Sequence, residues 1–138
     1  MLKAVIVDSG PLVAFFNRND RFHQWAKEKW EGIAPPLLTC EAVLAETCFL
    51  LRHLPGGSRA VLELVNRGVI QTPFQLEDEV QSIMSLMSRY SDVPMSLADA
   101  CLVRMAEQHA QSRVLTLDGD FLIYRKNNRR VIPVLFPG

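Results

Sequence analysis

The sequence predicts a three-layer α/β/α fold, with helices on both faces of a mainly parallel sheet. Short, strongly apolar runs at 4–7 and 114–117 are typical of strands that are buried on both faces. Segments with helical spacing lie between such runs, as in the crossovers that join parallel strands. The 138 residues are 49% hydrophobic and 22% charged, which excludes intrinsic disorder and predicts a single domain over 1–138.

The first half of the chain is predicted to alternate strands with helices. The first strand ends at Asp8, and Asp20 is placed to N-cap the second helix, where its carboxylate can accept from free N–H groups. Proline and glycine mark the breaks between segments. In order, the predicted elements are strand 4–7, helix 12–17, a helix from Asp20 to about 31, strand 37–39, helix 41–54, helix 58–67 and strand 69–72.

The second half is predicted to continue this alternation. Ser96 is a good N-cap for a helix, and the second strongly apolar strand ends at another aspartate, Asp118. The predicted elements are helix 77–90, helix 97–111, strand 114–117, a short helix at 120–126 and strand 131–135.

Charge and cysteine content exclude several classes of protein. The 15 basic and 15 acidic residues cancel, whereas a protein whose main role is to grip phosphate backbones is normally basic. Cys40, Cys48 and Cys101 show no CxxC spacing, which argues against a disulfide framework or a zinc ribbon and favours reduced core thiols. Without a signal peptide or a membrane-length apolar run, we expect a soluble, cytoplasmic protein.

Asp8 and Asp118 each follow a buried strand. In open α/β sheets, ligands bind outside the carboxyl ends of the strands, especially where the strand order reverses. Each aspartate could instead be a polar residue that caps the next turn. The two positions therefore indicate a ligand site only if other polar groups join them.

Glu46 and Asp99 are two further acids in unusual places. Each lies within the apolar stripe of its predicted helix, so we expect both to face the core. A carboxylate there is costly unless it is paired or bound to a metal. Arg52 or Arg104 could supply an ion pair.

Taken together, the four acids predict a metal site. If they converge at one end of a parallel sheet, each raises the pKa of the others unless a cation neutralises them. Oxygen ligands suit Mg²⁺ or Mn²⁺, which can activate water and clamp a phosphodiester. Hydrolysis of a nucleic-acid phosphodiester is the hypothesis that follows.

Four sequence pieces point to a known family. VIVDSGPLVAFFNRNDRFH, LAETCFLL, PMSLADACLVRMAE and VLTLDGDF, in this order and spacing, resemble the PIN-domain nucleases. Within that family, the chain looks most like the VapC-like endoribonuclease toxins of prokaryotic toxin–antitoxin pairs. The resemblance extends from Val5 to Pro133.

The resemblance implies a PIN-like fold and a Mg²⁺- or Mn²⁺-dependent endoribonuclease that leaves 5′-phosphate and 3′-hydroxyl ends. It also implies an antitoxin partner that blocks the acidic groove with a basic side chain, and a homodimer, for which helices 41–54 and 58–67 could supply the face. The catalytic and metal-binding residues implied are Asp8, Glu46, Asp99 and Asp118, with Asp120 as a nearby metal ligand or helper and with Ser9 and Thr116 as hydroxyls at the site.

Other interpretations remain open at this point. The basic run 125–130 could follow RNA phosphates or be a solvated surface, and Asp20 with His23 could be a cap with packing or lie beside the site. The main alternative function is a non-catalytic PIN-like scaffold that binds RNA or a partner. A phosphoryl-accepting receiver domain is disfavoured, because Asp8 is not part of a DxD motif.

Overall fold

The structure is a computed structural model that describes residues 4–138. Its central sheet contains five parallel strands, which are β1 (Ala4–Val7), β2 (Leu37–Leu38), β3 (Ile70–Gln71), β4 (Ser112–Leu115) and β7 (Val134–Leu135). A separate antiparallel hairpin is formed by β5 (Arg125–Lys126) and β6 (Arg130–Val131). The helices in the described part of the chain are α1 (Ser9–Phe16), α2 (His23–Glu31), α3 (Glu41–Leu50), α4 (Gly57–Asn66), α5 (Leu76–Arg89) and α6 (Leu97–Gln108).

The strand order explains where a ligand site can form. The strand order is β3-β2-β1-β4-β7. Strands β2 and β3 are therefore added on one side of β1, and β4 and β7 on the other side. With right-handed crossovers, this reversal places the connecting helices on opposite faces, which gives the predicted α/β/α fold. It also leaves a crevice outside the carboxyl ends of β1 and β4.

The core is densest around β1. Ile6 and Val7 are fully buried, and β1 pairs with β4 over its whole length, including Val7 with Leu115. Cys40 and Cys101 are buried and all three cysteines of the chain are free, in agreement with the predicted reduced thiols. Across residues 4–138, no helix combines the length and apolar character needed to cross a bilayer.

Two of the predicted helix starts are wrong. Helix α1 begins at Ser9 instead of at residue 12, because Asp8 caps it by accepting from the Ser9 amide. Asp20 is not the N-cap of α2: its carboxylate accepts from the Phe22 amide in the preceding turn, and Phe22 occupies the cap position without a side-chain bond. The Ser96 cap of α6 is confirmed, since its hydroxyl accepts from the Asp99 amide.

Most other predicted elements are confirmed within a few residues, but two helices end early. Helix α3 ends at Leu50 instead of at residue 54, and the turns that follow lead into α4. Helix α6 ends at Gln108 instead of at residue 111, because β4 already begins at Ser112. The strand predicted at 114–117 therefore lies two residues earlier, at Ser112–Leu115, in register with β1.

The region after Asp118 differs most from the prediction. A short 3₁₀ turn at Gly119–Leu122 replaces the predicted helix 120–126, and the chain then enters the β5–β6 hairpin. Asn127 and Asn128 adopt positive φ angles of 51° and 70° in the loop of this hairpin. The predicted strand 131–135 is divided, because Val131 pairs within the hairpin and only Val134–Leu135 joins the main sheet.

Candidate metal centre

A cleft of about 600 Å³ opens at the carboxyl ends of β1 and β4. It is lined by Asp8, Ser9, Gly10, Glu46, Pro94, Ser96, Asp99, Leu117, Asp118, Gly119 and Asp120. All five carboxylates that the sequence pointed to are therefore in one place, and none of the described residues lining the cleft is a lysine, an arginine or a histidine. The cleft concentrates negative charge without a basic side chain to balance it.

Asp8 forms the floor of the cleft and is only 5% exposed. It directly follows β1, and both of its carboxylate oxygens are held: Oδ1 accepts from the Ser9 amide at 2.7 Å and Oδ2 from the Thr116 hydroxyl at 2.8 Å. Burial raises the pKa of Asp8 to about 6, and the negative charges of Asp99 and Asp118 act in the same direction, while the two hydrogen bonds oppose the rise. A cation in the cleft would favour the ionised form.

Thr116 joins the two strand-end aspartates. Its buried hydroxyl donates to Asp8 and accepts from the Asp118 amide at 2.9 Å. Asp118 in turn caps the 3₁₀ turn, because its Oδ1 accepts from the Asp120 amide at 2.9 Å. The predicted hydroxyl of Thr116 thus lies beneath the cleft and orients the acids instead of lining it.

Asp99 lies in the first turn of α6 and is half-buried. Burial raises its pKa, and the charges of Asp118 and Glu46 add to the effect, while a hydrogen bond from Tyr124 opposes it. Asp99, Asp118 and Asp120 can each present one carboxylate oxygen such that all three lie within 4.8 Å of one another. This triad is the tightest group of acids in the cleft.

Glu46 reaches the cleft from an exposed face of α3. The expectation that it faces the core is wrong: Val43 and Thr47 are buried, whereas Glu46 and its neighbour Leu50 are exposed. The prediction was wrong because it counted Leu50 as a core position, and Leu50 is itself 47% exposed. The Ser9 hydroxyl donates to Glu46 Oε1 and ties α3 to the start of α1.

The close approach of α1 to the Thr116–Asp118 segment depends on Gly10. A Cβ atom at Gly10 would lie 3.2 Å from the Leu117 Cβ, which is tighter than ordinary van der Waals contact. Ser9, next to Gly10, therefore sits close to the aspartates that follow β4. The position of Ser9 allows it to connect Asp8 and Glu46.

Two other candidates do not line the cleft. His23 Nδ1 lies 2.7 Å from the Ala14 carbonyl oxygen, so His23 with Asp20 serves local structure in the turn between α1 and α2. The basic run 125–130 forms the β5–β6 hairpin, where the Asn127 amide donates to Glu107 near the C-terminal end of α6. Asp99 lies at the opposite end of that helix, and no residue of the basic run lines the cleft.

Sequence reasoning missed Tyr124, which was placed in a predicted helix without a role. Its side chain is 0% exposed and its hydroxyl donates to Asp99 Oδ2 at 2.8 Å. A buried tyrosine needs a hydrogen-bond partner, so a tyrosine shortly after the Asp118 motif could have been matched with an acid.

The donor set fits a hard divalent cation. All of the candidate ligands are carboxylate oxygens, which suit Mg²⁺ and Mn²⁺, and thiol or imidazole groups are absent from the described residues that line the cleft. The raised pKa values of Asp8 and Asp99 show that the protein alone does not balance their charge. The arrangement fits a site for a divalent cation at the edge of a parallel sheet.

Comparison with known proteins shows the family of the chain. The PIN domain profile matches residues 5–127, so the chain belongs to the PIN domain family. Ribonuclease VapC26 of Mycobacterium tuberculosis is 27% identical over 127 residues, which cover 83% of this chain and 86% of that protein. The crystal structure of VapC20 from the same organism, described as a sarcin–ricin loop cleaving toxin, matches this chain with a TM-score of 0.72 and 24% identity. The match covers 85% of this chain and 92% of that one, and it confirms the fold.

Proposed function

We propose that this protein is a metal-dependent endoribonuclease that hydrolyses RNA phosphodiester bonds and acts as the toxin of a VapBC-type pair. The observation that carries this proposal is the cleft in which Asp8, Glu46, Asp99, Asp118 and Asp120 meet without a basic side chain among the described lining residues. Membership of the PIN domain family supports it, as does the similarity to a protein named a ribonuclease.

The proposed ligands are these five carboxylates, and the proposed cation is Mg²⁺ or Mn²⁺. When bound, such an ion supplies Lewis-acid activation of water and charge stabilisation at phosphate oxygens. Thr116 holds Asp8, and Ser9 holds Glu46, so the donors are oriented before the ion arrives. Because five carboxylates repel a phosphate backbone, RNA binding at the cleft depends on the cation.

The partners follow from the same surface. An antitoxin would inhibit by placing a basic side chain in the acidic cleft.

A homodimer is supported by the exposed apolar residues Phe49 and Leu50 on α3 and Leu62 on α4, and light scattering during size-exclusion chromatography would detect it. We further propose that residues 1–138 act as one domain and that the protein works in the cytoplasm, where its RNA would be.

The first experiment is cleavage of a mixed RNA panel with Mg²⁺, Mn²⁺ or EDTA. Asp8→Asn and Asp99→Asn should lower the cleavage rate at least about 100-fold, because each removes a charged ligand while keeping its shape. Glu46→Gln tests the acid on α3, and Glu41→Gln is its matched control, since Glu41 is exposed on the same helix and does not line the cleft.

Three outcomes decide the proposal. Cleavage that requires the ion, vanishes in both aspartate variants and survives in Glu41→Gln would support it. Activity that is indifferent to EDTA or to the aspartate changes would indicate a contaminant and overturn the site. Binding of RNA without cleavage across the panel would favour the non-catalytic scaffold.

A further inference from the structure

Tyr124 connects the two segments that carry the acidic triad. Its backbone amide donates to the Asp120 carbonyl at 3.1 Å, at the end of the 3₁₀ turn that begins after Asp118. Its hydroxyl donates to Asp99 Oδ2 at 2.8 Å, across to α6. One residue therefore links the turn that holds Asp118 and Asp120 to the helix that holds Asp99.

The tyrosine ring is held on two sides by aromatic contacts. Tyr90 packs against it with ring centroids 5.1 Å apart, and Phe121 with centroids 5.2 Å apart, both in edge-to-face geometry. Tyr90 is itself fixed, because its hydroxyl accepts from the Arg125 amide at 2.9 Å. Since Tyr124 is 0% exposed, its hydroxyl occupies one defined position.

We propose that Tyr124 is a positioning residue, whose hydroxyl fixes the Asp99 carboxylate for the divalent ion. The hydrogen bond occupies one oxygen of Asp99 and sets the plane of the carboxylate, as hydrogen bonds to metal-binding carboxylates commonly do. Phenylalanine would fill the same space in the core, so the hydroxyl is the part of the side chain that this role requires. The proposal rests on the metal site of the proposed function, and Tyr124 acts through Asp99 without touching the substrate.

The test compares Tyr124→Phe with Tyr90→Phe in the full-length protein. Each change removes one hydroxyl from the same aromatic cluster, but only Tyr124 contacts an acid of the cleft. Mn²⁺ binding is measured by isothermal titration calorimetry, with circular dichroism to confirm folding. We expect the Mn²⁺ dissociation constant to rise roughly 10-fold or more in Tyr124→Phe and to stay within about twofold of wild type in Tyr90→Phe.

Metal binding is the readout, so this test is separate from nuclease activity. A wild-type protein that binds Mn²⁺ but cuts no RNA would overturn the proposed function and leave the Tyr124 result valid. Equal Mn²⁺ affinity in Tyr124→Phe and wild type would overturn the role of Tyr124. A wild-type protein that binds no Mn²⁺ would overturn both.

A second measurement keeps the proposal testable if Tyr124→Phe does not fold. The chain has 2 tyrosines, so Tyr90→Phe leaves Tyr124 as the only one. With ¹³C at the tyrosine Cζ position, the resonance should move during a Mg²⁺ titration, because the ion changes the carboxylate that the hydroxyl contacts. Adding Asp99→Asn to this protein should abolish the movement. A resonance that stays fixed while Mg²⁺ binds would overturn the proposal.

Discussion

At the scale of single residues, Asp8 stands out because its charge is unfavourable in the metal-free protein. Burial raises its pKa from 3.8 to about 6, so the folded state binds a proton more tightly than the unfolded state does. Between these two pH values the folded state holds more protons, and stability therefore falls as the pH rises through this window. Above pH 6, this rise in the pKa of Asp8 lowers the free energy of unfolding by about 3 kcal/mol.

The fall in stability with rising pH leads to a prediction for Asp8→Asn in EDTA. Above pH 6 the variant should be more stable than wild type, by up to about 3 kcal/mol, because it lacks the buried charge. The advantage should shrink as the pH falls below 6 and disappear once the pH is well below 3.8, where Asp8 is protonated in both states. Urea unfolding of both proteins at pH 8 and at about pH 3 measures it. A variant that is less stable than wild type at pH 8 would contradict the prediction.

Individual site residues were predictable to different degrees. Asp8 and Asp118 follow from their places after apolar strands, because the carboxyl ends of parallel strands are recognisable from sequence alone. Glu46 was chosen for a core-facing position that it does not occupy, since helical spacing cannot tell a core face from the wall of a cleft. Tyr124 was not found, because its bond to Asp99 joins two segments 25 residues apart.

At the scale of elements, the prediction failed where local turn chemistry decides the structure. The 120–126 segment contains enough apolar residues to look helical, but Asn127 and Asn128 adopt left-handed angles and close a hairpin. Asparagine tolerates positive φ better than other residues with a side chain, so the Asn-Asn pair was the available signal. By contrast, α6 begins where Ser96 predicts, because an N-cap acts within one turn.

The hairpin loop gives an element-scale prediction. Asn128 has a φ of 70°, and a β-branched residue is strained at such an angle. Asn128→Val should therefore lower the unfolding free energy by about 1–2 kcal/mol. Asn128→Gly is the matched control and should be neutral or slightly stabilising, because glycine adopts this conformation without strain. Urea denaturation of both variants measures the effect, and equal losses in the two would show that the side chain of Asn128 matters more than its backbone angle.

At the scale of the whole molecule, the fold class was predictable and the strand order was not. Alternating apolar runs and helical segments are sufficient for a parallel α/β sheet, and the five-stranded sheet agrees. Sequence spacing does not say that β4 returns to the side of β1 opposite β2. That return brings Asp118 next to Asp8, so the convergence of the acids depends on a long-range pairing that only the structure provides.

This convergence predicts that a divalent ion stabilises the whole fold. The five acids come from the end of β1, from α3, from α6 and from the turn after β4, so an ion bound among them links segments that separate on unfolding. At a metal concentration 100 times the dissociation constant, the gain is about 2.7 kcal/mol, or roughly 10 °C in melting temperature for a chain of this size.

Asp8→Asn should reverse the order of stability between two conditions at pH 8. In EDTA the variant should melt above wild type, because the buried charge of Asp8 is absent. In Mg²⁺ at about 1,000 times the wild-type dissociation constant, wild type should gain about 4.1 kcal/mol, which exceeds the advantage that the variant has in EDTA. The variant should gain little, because it lacks a ligand. Thermal melts of wild type, Asp8→Asn and Glu41→Gln in EDTA and in Mg²⁺ measure this, and Glu41→Gln should follow wild type. If Mg²⁺ raises the melting temperatures of wild type and Asp8→Asn equally, the ion binds elsewhere. A reversal would show that the Asp8 carboxylate destabilises the metal-free fold and also binds the ion that offsets this destabilisation.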